Sequence, residues 1–257
     1  MALILLKAEL NVLLELKAVL DEAEALGINV DEYIAVYNNT SSTLEELNAA
    51  IEAVKKAIAA GGINTATAEN PADAAGYIVN PDWAGGSTKG WSQAPSLEKH
   101  GDIYTAEFYN TTYDMSQPIS GLPEGVYSLT LKVFHREGGY SNSAFEKHLN
   151  GKENLNAYIY ITQDNDTVTK PLMSIYKEAS ETGYGNGTEV TVTAGDKTVY
   201  IPNMRESAQM YFNDGRYNVN TAYFNSTGAD FMIGLKKTVG VSSDWTPFND
   251  FTLKYYG

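Results

Sequence analysis

The chain has 257 residues, of which 43% are hydrophobic and 19% are charged, so its composition is that of a globular protein. The formal net charge is −14 and no cluster of Lys and Arg occurs, which argues against a nucleic-acid partner. The chain has no cysteine, which excludes disulfide frameworks, thiolate zinc sites and cysteine nucleophiles.

Residues 1–62 are predicted to form a helical hairpin. Apolar residues recur at helical spacing from residue 3 to residue 26, and Gly27 predicts the end of this helix. Asp31 predicts the start of a short helix that ends at the pair Asn38-Asn39. No apolar run approaches the length of a membrane span, and the start of the chain lacks the features of a signal peptide.

A capping box predicts where the second long helix begins. Ser42 with Glu45, or Thr43 with Glu46, has the spacing of this motif. In it, the side chain of each residue accepts a hydrogen bond from the backbone amide of the other. An apolar stripe follows at Leu44, Leu47, Ile51, Val54 and Ile58. Short connections predict that the two long helices are antiparallel neighbours. The hairpin is interpreted as a spacer, or alternatively as a docking element for another protein.

Residues 63–69 are small and polar without periodicity, which predicts a linker. From residue 70 to 257 the sequence is rich in Tyr, Asn, Thr and Gly, and predicts short strands with one helical interruption at 203–214. The predicted strands are 103–109, 115–119, 125–135, 156–162, 168–173, 189–193, 197–201, 219–224, 230–236 and 250–255. Many short strands without alternating helices predict an antiparallel β-sandwich, and the chain as a whole is α+β, mainly β.

The last predicted strand closes this domain. Phe251, Leu253 and Tyr255 alternate with polar or half-polar residues, as in a half-buried strand. The segment at 78–83 is the predicted partner, so that everything between the two is enclosed in one β-domain.

Several motifs then carry a family resemblance. Asn80-Pro81-Asp82-Trp83-Ala84-Gly85-Gly86 followed by Gly90-Trp91, and the closing segment 245–253, resemble the two ends of carbohydrate-binding modules with the galactose-binding-like jelly-roll fold. Gly121-Leu122-Pro123-Glu124-Gly125-Val126-Tyr127 is similar to a strand entry in these modules. The segment 211–218 resembles one found in gut-bacterial surface proteins that carry such a module behind a helical hairpin.

The resemblance implies a jelly-roll sandwich over residues 70–257 and non-catalytic carbohydrate binding by a bacterial protein at the cell surface or outside the cell. Such a protein would be exported with a leader that this chain does not include. The resemblance also implies a structural calcium ion, for which Asp82 and Asp250 are the available carboxylates. The alternative for these two residues is surface hydrogen bonding.

A carbohydrate site is expected to combine aromatic rings with planar polar side chains. Two segments have this combination. The first is residues 136–142, after the long predicted strand, and the second is residues 211–218 together with Tyr184. The candidate ligand-binding residues are Arg136, Tyr140, Asn142, Tyr184, Tyr211, Asn213 and Tyr217. For the helical segment the alternative is that its aromatic residues, Phe212 above all, anchor the helix to the sheet.

Catalysis finds little support in the sequence. The three histidines lie far apart, and no nucleophile elbow or phosphate-binding loop is present. Glu107 and Asp114, on neighbouring predicted strands, are the one carboxylate pair considered for a glycoside hydrolase. The prediction is therefore a non-enzymatic glycan-binding protein. The first alternative is a structural or adhesion module that contacts other cell-surface proteins through the helical hairpin, and the second is a hydrolase.

Overall fold

The computed structural model describes residues 2–26, 28–221 and 223–257, with side chains from residue 9 onward. This part of the chain divides into two compact units, one made of the residues up to Val79 with Lys254–Gly257, the other of Asn80–Leu253. The helical end predicted at Gly27 lies outside the described residues. Within them, no helix combines the length and the apolar character that crossing a membrane requires.

The first unit is built on three helices, α1 (Ala2–Ala25), α2 (Asp31–Asn38) and α3 (Leu44–Ile63). After α3 comes the two-residue strand β1 (Ala72–Asp73), which pairs with Lys254 and Tyr255. The predicted apolar stripes meet in one core, whose buried members are Leu16, Val19, Leu20, Ala23, Val30, Leu47, Ala50, Ile51 and Val54.

The two long helices run in the same direction rather than antiparallel as predicted. Lys55 Nζ lies 2.8 Å from Glu15 Oε1, which joins the middle of α1 to the second half of α3. A Cβ on Gly61, near the end of α3, would lie 3.3 Å from Cδ1 of Ile28, just after α1. Both helices therefore end at the same end of the bundle, because the short α2 carries the chain back between them.

The predicted capping box is formed by Thr43 and Glu46. The Thr43 hydroxyl accepts a hydrogen bond from the Glu46 amide at 3.2 Å, and the Thr43 amide donates to Glu46 Oε2 at 2.7 Å. These two bonds satisfy donors that the first turn of a helix otherwise leaves unpaired.

The second unit contains two sheets and a layer of helices. Its elements, in chain order, are β2 (Ser96–His100), β3 (Ile103–Tyr109), β4 (Tyr113–Ile119), β5 (Glu124–His135), α4 (Asn142–Leu149), β6 (Ala157–Gln163), β7 (Asp166–Pro171), β8 (Met173–Ser174), β9 (Glu189–Ala194), β10 (Lys197–Pro202), α5 (Arg205–Asn213), β11 (Asn218–Asn220), β12 (Phe224–Thr227), β13 (Phe231–Lys237) and β14 (Trp245–Tyr255). The last strand runs on into the first unit at Lys254.

The first sheet has the order β11-β5-β14-β3-β2, with β12 and β8 also paired to β5. The second sheet has the order β4-β13-β6-β7. Neighbouring strands within the second sheet are antiparallel, whereas β5 and β8 of the first sheet run parallel. The strands β9 and β10 form a separate antiparallel hairpin.

The two sheets pack face to face. On β5 the face made of Tyr127, Leu129, Leu131 and Val133 is fully buried, which is the more apolar of the two faces that its alternation offers. Aromatic rings meet across the interface, Tyr127 with Phe231 at a centroid distance of 5.3 Å. The predicted fold class, an α+β and mainly β protein built on an antiparallel β-sandwich, is confirmed.

A third layer, made of α4, α5 and the β9–β10 hairpin, covers part of the outer face of the first sheet. The helix predicted at 203–214 is α5. Its buried Gln209 accepts hydrogen bonds from Thr105 of β3 at 2.8 Å and from Asn249 of β14 at 3.0 Å. Phe212 is buried against Phe134 of β5, so this ring anchors the helix to the sheet.

The closing strand β14 lies in the centre of the first sheet. Asp250 has a positive φ of 57°, and this local kink lets both Phe248 and Phe251 face the sandwich core. Both rings pack against the buried Trp83, at 5.6 and 6.2 Å. The segment predicted as its strand partner contributes one hydrogen bond, from the Phe251 amide to the carbonyl of Pro81.

Candidate ligand-binding cleft

A cleft of about 260 Å³ opens at the end of the first sheet, where the third layer begins. Strands β2 and β3, the residue after β5, the start of β14 and the turn into α5 all contribute to it. The lining residues are Glu98, Glu107, Tyr109, Arg136, Asn203, Met204, Arg205, Glu206 and Trp245.

The alternation of β3 places two of these side chains. Ala106 and Phe108 are buried between the sheets, so Glu107 and Tyr109 point to the opposite face of the strand. Because β2 pairs with β3 at this point, Glu98 is brought beside them. The third layer supplies the facing side through the first turn of α5.

Arg205 joins the two glutamates on the floor of the cleft. Its Nε donates to Glu98 Oε2 at 2.6 Å, and its Nη1 lies 3.5 Å from Glu107 Oε1 and donates to Ser96 Oγ at 2.8 Å. Glu107 Oε2 in turn accepts a hydrogen bond from the indole of Trp245 at 2.6 Å. Charge-assisted bonds of this kind hold the floor in one arrangement.

Arg136 forms the inner end of the cleft. It is only 6% exposed, and its guanidinium lies 5.3 Å from the ring centroid of Trp245 and 5.8 Å from that of Tyr140. Its nitrogens donate to the carbonyls of Gly138 and Ser243 and reach Asn203 Oδ1 at 3.4 Å. Burial lowers the pKa of this guanidinium from its ordinary value. The side chain thus ties three segments together.

A buried ion pair supports the segment behind Arg136. Lys237 and Asp244, both 1% exposed, are in direct contact. Asp244 also accepts a hydrogen bond from the amide of Val241, and so closes the turn before Trp245. The pair therefore fixes the turn whose Ser243 carbonyl holds the Arg136 guanidinium.

Three large side chains remain exposed around the mouth. Tyr109, Met204 and Tyr140 are 54%, 55% and 46% exposed. A ring with one face in solvent can stack on an apolar molecular face, and the charged floor offers hydrogen bonds beside it. The cleft therefore suits a small polar ligand that also has an apolar face.

The first predicted binding segment contributes to this cleft. Arg136 lines it, and the ring of Tyr140 lies beside Arg136, 5.8 Å from its guanidinium. Asn142 is exposed, but it begins α4 and its Oδ1 accepts a hydrogen bond from the amide of Thr193 at 2.9 Å.

The second predicted segment lies mostly in the core of the third layer. Tyr211 and Tyr217 are fully buried, with their hydroxyls bonded to Glu189 Oε1 and to the carbonyl of Ile175. Tyr184 is half-buried and packs its ring against Tyr211 at 5.0 Å, while its hydroxyl is bonded to Asp214.

Asn213 is exposed and accepts a hydrogen bond from Gln209 at 2.8 Å. The rings of Tyr211 and Tyr217 are covered by the β9–β10 hairpin, and Tyr184 packs against Tyr211. We therefore do not place these three tyrosines in the candidate cleft.

The two carboxylates considered for calcium do not fit that ion. Asp250 Oδ2 lies 2.5 Å from the Lys132 ammonium, which would repel a cation, and Asp82 Oδ1 accepts from the Ala84 amide at 3.1 Å. Calcium takes about six to eight oxygen ligands. In the part of the chain that the structure describes, no group of three or more His, Asp or Glu is placed to hold a metal ion.

Most residues of the cleft were not predictable from the sequence. Glu98, Tyr109, Met204 and Arg205 carried no signal, because each lies in a separate segment without a motif. Trp245 belonged to the closing motif and is buried, as the fold motif suggests, yet one edge of it lines the cleft.

Glu107 was considered only as a partner of Asp114. That residue instead lies on the second sheet, bonded to Tyr160 and Lys236.

No family model and no curated protein matches the chain. Among solved structures it is similar to the carbohydrate-binding module TmCBM61 in complex with β-1,4-galactotriose, at 14% identity over 69% of this chain and 96% of that one, with a TM-score of 0.31.

A putative sugar-binding protein from Bacteroides thetaiotaomicron matches at 14% identity over 66% and 84% of the two chains, with a TM-score of 0.26. The module CBM28, specific for non-crystalline cellulose, matches at 11% over 68% and 92%, with a TM-score of 0.28. These structures belong to the class that the sequence motifs resemble. All three TM-scores lie below 0.5, so the proposals below rest on the geometry of the chain itself.

Proposed function

We propose that the protein binds carbohydrate in this cleft without catalysing a reaction. The observation that supports this function best is the position of two exposed tyrosines at a cleft with a charged floor. Tyr109 lines the cleft, and Tyr140 packs against Arg136, which also lines it. A sugar ring has C–H faces that stack on aromatic rings and hydroxyls that bond to carboxylates, amides and guanidinium groups.

The floor of the cleft is suited to binding rather than hydrolysis. A glycosidase needs two carboxyl groups in different roles, separated by a gap in which the glycosidic bond lies. Here Glu98 and Glu107 are both engaged by Arg205, and Glu107 also accepts the Trp245 indole. We therefore expect bound oligosaccharide to be recovered intact, which an assay for released reducing ends measures.

We further propose that the protein acts at the surface of a bacterium or outside the cell, where polysaccharide is met. The absence of cysteine is compatible with export from a bacterium. The alternative function, a structural or adhesion module, is favoured by Leu10 and Leu14, one turn apart on α1 and 56% and 60% exposed. That alternative predicts a protein partner for the helices and no glycan ligand.

A glycan array followed by calorimetry on the best ligand tests the proposed function. We expect Tyr109→Ala and Tyr140→Ala each to weaken binding by about tenfold or more, because truncating a contact ring at a binding site removes at least about 1.4 kcal/mol. Ligand binding should also change the fluorescence of Trp245, whose indole lines the cleft.

Tyr223→Ala is the matched control. Tyr223 is 66% exposed. The next residue, Phe224, pairs with Tyr127 of β5. Tyr127 is nine positions before Arg136, so Tyr223 lies roughly 30 Å from the cleft along this strand. This variant should bind as the unaltered protein does. An array without any bound glycan, or tyrosine variants of the cleft that keep full affinity, would contradict the proposal.

A further inference from the structure

The outer face of the second sheet is open. The register aligns three rows of outward-facing residues across β4, β13, β6 and β7. The rows are Asp114–Lys236–Tyr158–Pro171, Ser116–Gly234–Tyr160–Thr169 and Pro118–Met232–Thr162–Thr167. Apart from Gly234, each of these residues is partly or fully exposed, whereas the opposite faces of β4, β6 and β13 are buried against the first sheet. The edge strand β7 has no buried residue on either face. Strands lie about 4.8 Å apart, so four of them make a surface roughly 14 Å wide.

At the centre of this face the ring of Tyr160 lies on Gly234. A Cβ on Gly234 would fall 2.4 Å from Cζ and 2.5 Å from Cε1 of Tyr160. Real side chains do not approach so closely, so the ring occupies space that only glycine leaves free. A ring that rests on the backbone in this way turns its other face outward, away from the sheet.

Polar side chains hold the ring and surround it. The Tyr160 hydroxyl donates to Asp114 Oδ1 at 2.9 Å, and Lys236 Nζ donates to Asp114 Oδ2 at 2.6 Å. Ser116 and the hydroxyl pair of Thr162 and Thr167 lie on either side. The ring of Tyr158 lies next along β6, with its centroid 6.3 Å from that of Tyr160. Two aromatic rings are thus set in a surface rich in hydroxyl groups.

We infer that this face, centred on Tyr158 and Tyr160, is a second carbohydrate-binding site, one that takes a segment of an uncharged polysaccharide chain. The chemistry of the surface identifies the occupant. A sugar ring stacked on Tyr160 places its hydroxyls over Asp114, which can accept hydrogen bonds, and over Ser116 and Thr162, which can donate or accept.

The charges on this face also favour an uncharged ligand. Asp114 and Lys236 neutralise each other, so the central rows present no net charge for an anionic or cationic polymer to pair with. The exposed four-stranded face suits an extended chain that continues past both edges, in contrast to the cleft of the first sheet. This site is independent of the cleft, because the two sit on opposite outer faces of the sandwich.

Affinity gel electrophoresis against soluble galactan, xylan, mannan, xyloglucan and hydroxyethylcellulose tests the inference. We expect Tyr160→Ala and Gly234→Ala to weaken binding to at least one of these polymers by about tenfold, while Tyr109→Ala retains that binding. Gly234→Ala keeps every polar group and only displaces the ring. Tyr160→Phe keeps the ring and should retain most of the affinity.

Gly62→Ala is the matched glycine control, since its added methyl meets only Ala72 Cβ at an ordinary 3.6 Å. Thermal unfolding of each variant confirms that it is folded. Full affinity of both Tyr160→Ala and Gly234→Ala for every polymer overturns the inference and leaves the cleft proposal standing. If Tyr109→Ala loses binding while Tyr160→Ala and Gly234→Ala keep it, the inference is likewise overturned and the cleft proposal stands. An unaltered protein that binds none of the polymers and no glycan on the array overturns both proposals.

Discussion

His135 is a histidine whose environment keeps it neutral. It lies between the sheets at the end of β5, 1% exposed, with Nδ1 2.9 Å from the hydroxyl of Thr246. Its pKa is lowered from 6.5 to about 4, chiefly by burial and also by the nearby Lys237 ammonium, while Asp244 partly opposes the shift. A charged imidazolium here would be desolvated beside a cation.

This arrangement predicts a loss of stability in acid. The unfolded chain takes up a proton on His135 near pH 6.5, whereas the folded chain does so only near pH 4. The free energy of unfolding should therefore be constant above about pH 6.5 and fall as the pH drops towards 4. Relative to His135→Gln, we expect the loss at pH 4.5 to be about 2–3 kcal/mol.

Urea unfolding of both proteins at pH 7.5 and pH 4.5 measures this difference. His148→Gln, a change at a half-buried histidine of α4 whose Nδ1 lies 2.6 Å from Glu153 Oε2, serves as the control for histidine removal. Equal pH dependence in the unaltered protein and His135→Gln would show that the buried imidazole is not the cause.

Among the elements, helix α3 has the clearest local signal for its start. Replacing Thr43 by Ala removes the side-chain acceptor for the Glu46 amide and leaves that donor unpaired. We expect the free energy of unfolding of this helical unit to fall by about 1 kcal/mol. Hydrogen exchange at the amides of the first turn should speed up correspondingly.

Glu46→Gln is the comparison variant for the same capping box. A glutamine at this position still accepts from the Thr43 amide, so its effect should be smaller than that of Thr43→Ala. An equal or greater effect of Glu46→Gln would mean that charge near the helix start, rather than the cap itself, sets the stability.

Elements were predictable from sequence where the signal is local. The alternation along β5 and β14 and the capping box at Thr43 are each visible within a dozen residues. The direction of α3 relative to α1 was not, because it depends on how the eight-residue α2 returns the chain. Tyr211 and Tyr217 were expected at a surface, since nothing in their own segment reveals that the β9–β10 hairpin covers them.

The two candidate sites also differ in how far the local sequence predicts them. The cleft gathers residues from five segments between Glu98 and Trp245, so only the folded chain brings Arg205 between its glutamates. The tyrosines of the second sheet, Tyr158 and Tyr160, stand two positions apart on a strand that the sequence predicts. Their role depends on Gly234, more than seventy residues away in sequence, and a single sequence gives no means of joining them.

At the scale of the whole molecule, charge governs which glycans can approach. The net charge is −14, Arg205 is paired with carboxylates, and Arg136 is buried. A polyanion therefore meets repulsion, and the described residues that line the cleft offer it no free cation. We expect polygalacturonate to bind more weakly than uncharged galactan at low salt. The difference should narrow at high salt, where repulsion between exposed charges is screened.

Affinity electrophoresis of the two polymers at both salt concentrations measures the effect. Asp164→Asn, in the turn between β6 and β7, removes one surface charge outside the cleft and should change the result little. Polygalacturonate binding that equals or exceeds galactan binding at low salt would contradict the charge argument.

The central position of β14 has a consequence for how the chain folds during synthesis. In the first sheet β14 lies between β5 and β3, and its last residues pair with β1 in the helical unit. A ribosome must therefore release all the preceding strands before the one that joins them. Until then β3 and β5 have unpaired edges, and the chain depends on long-range pairing that is slow to form. A nascent chain of this protein remains open to chaperones until β14 emerges.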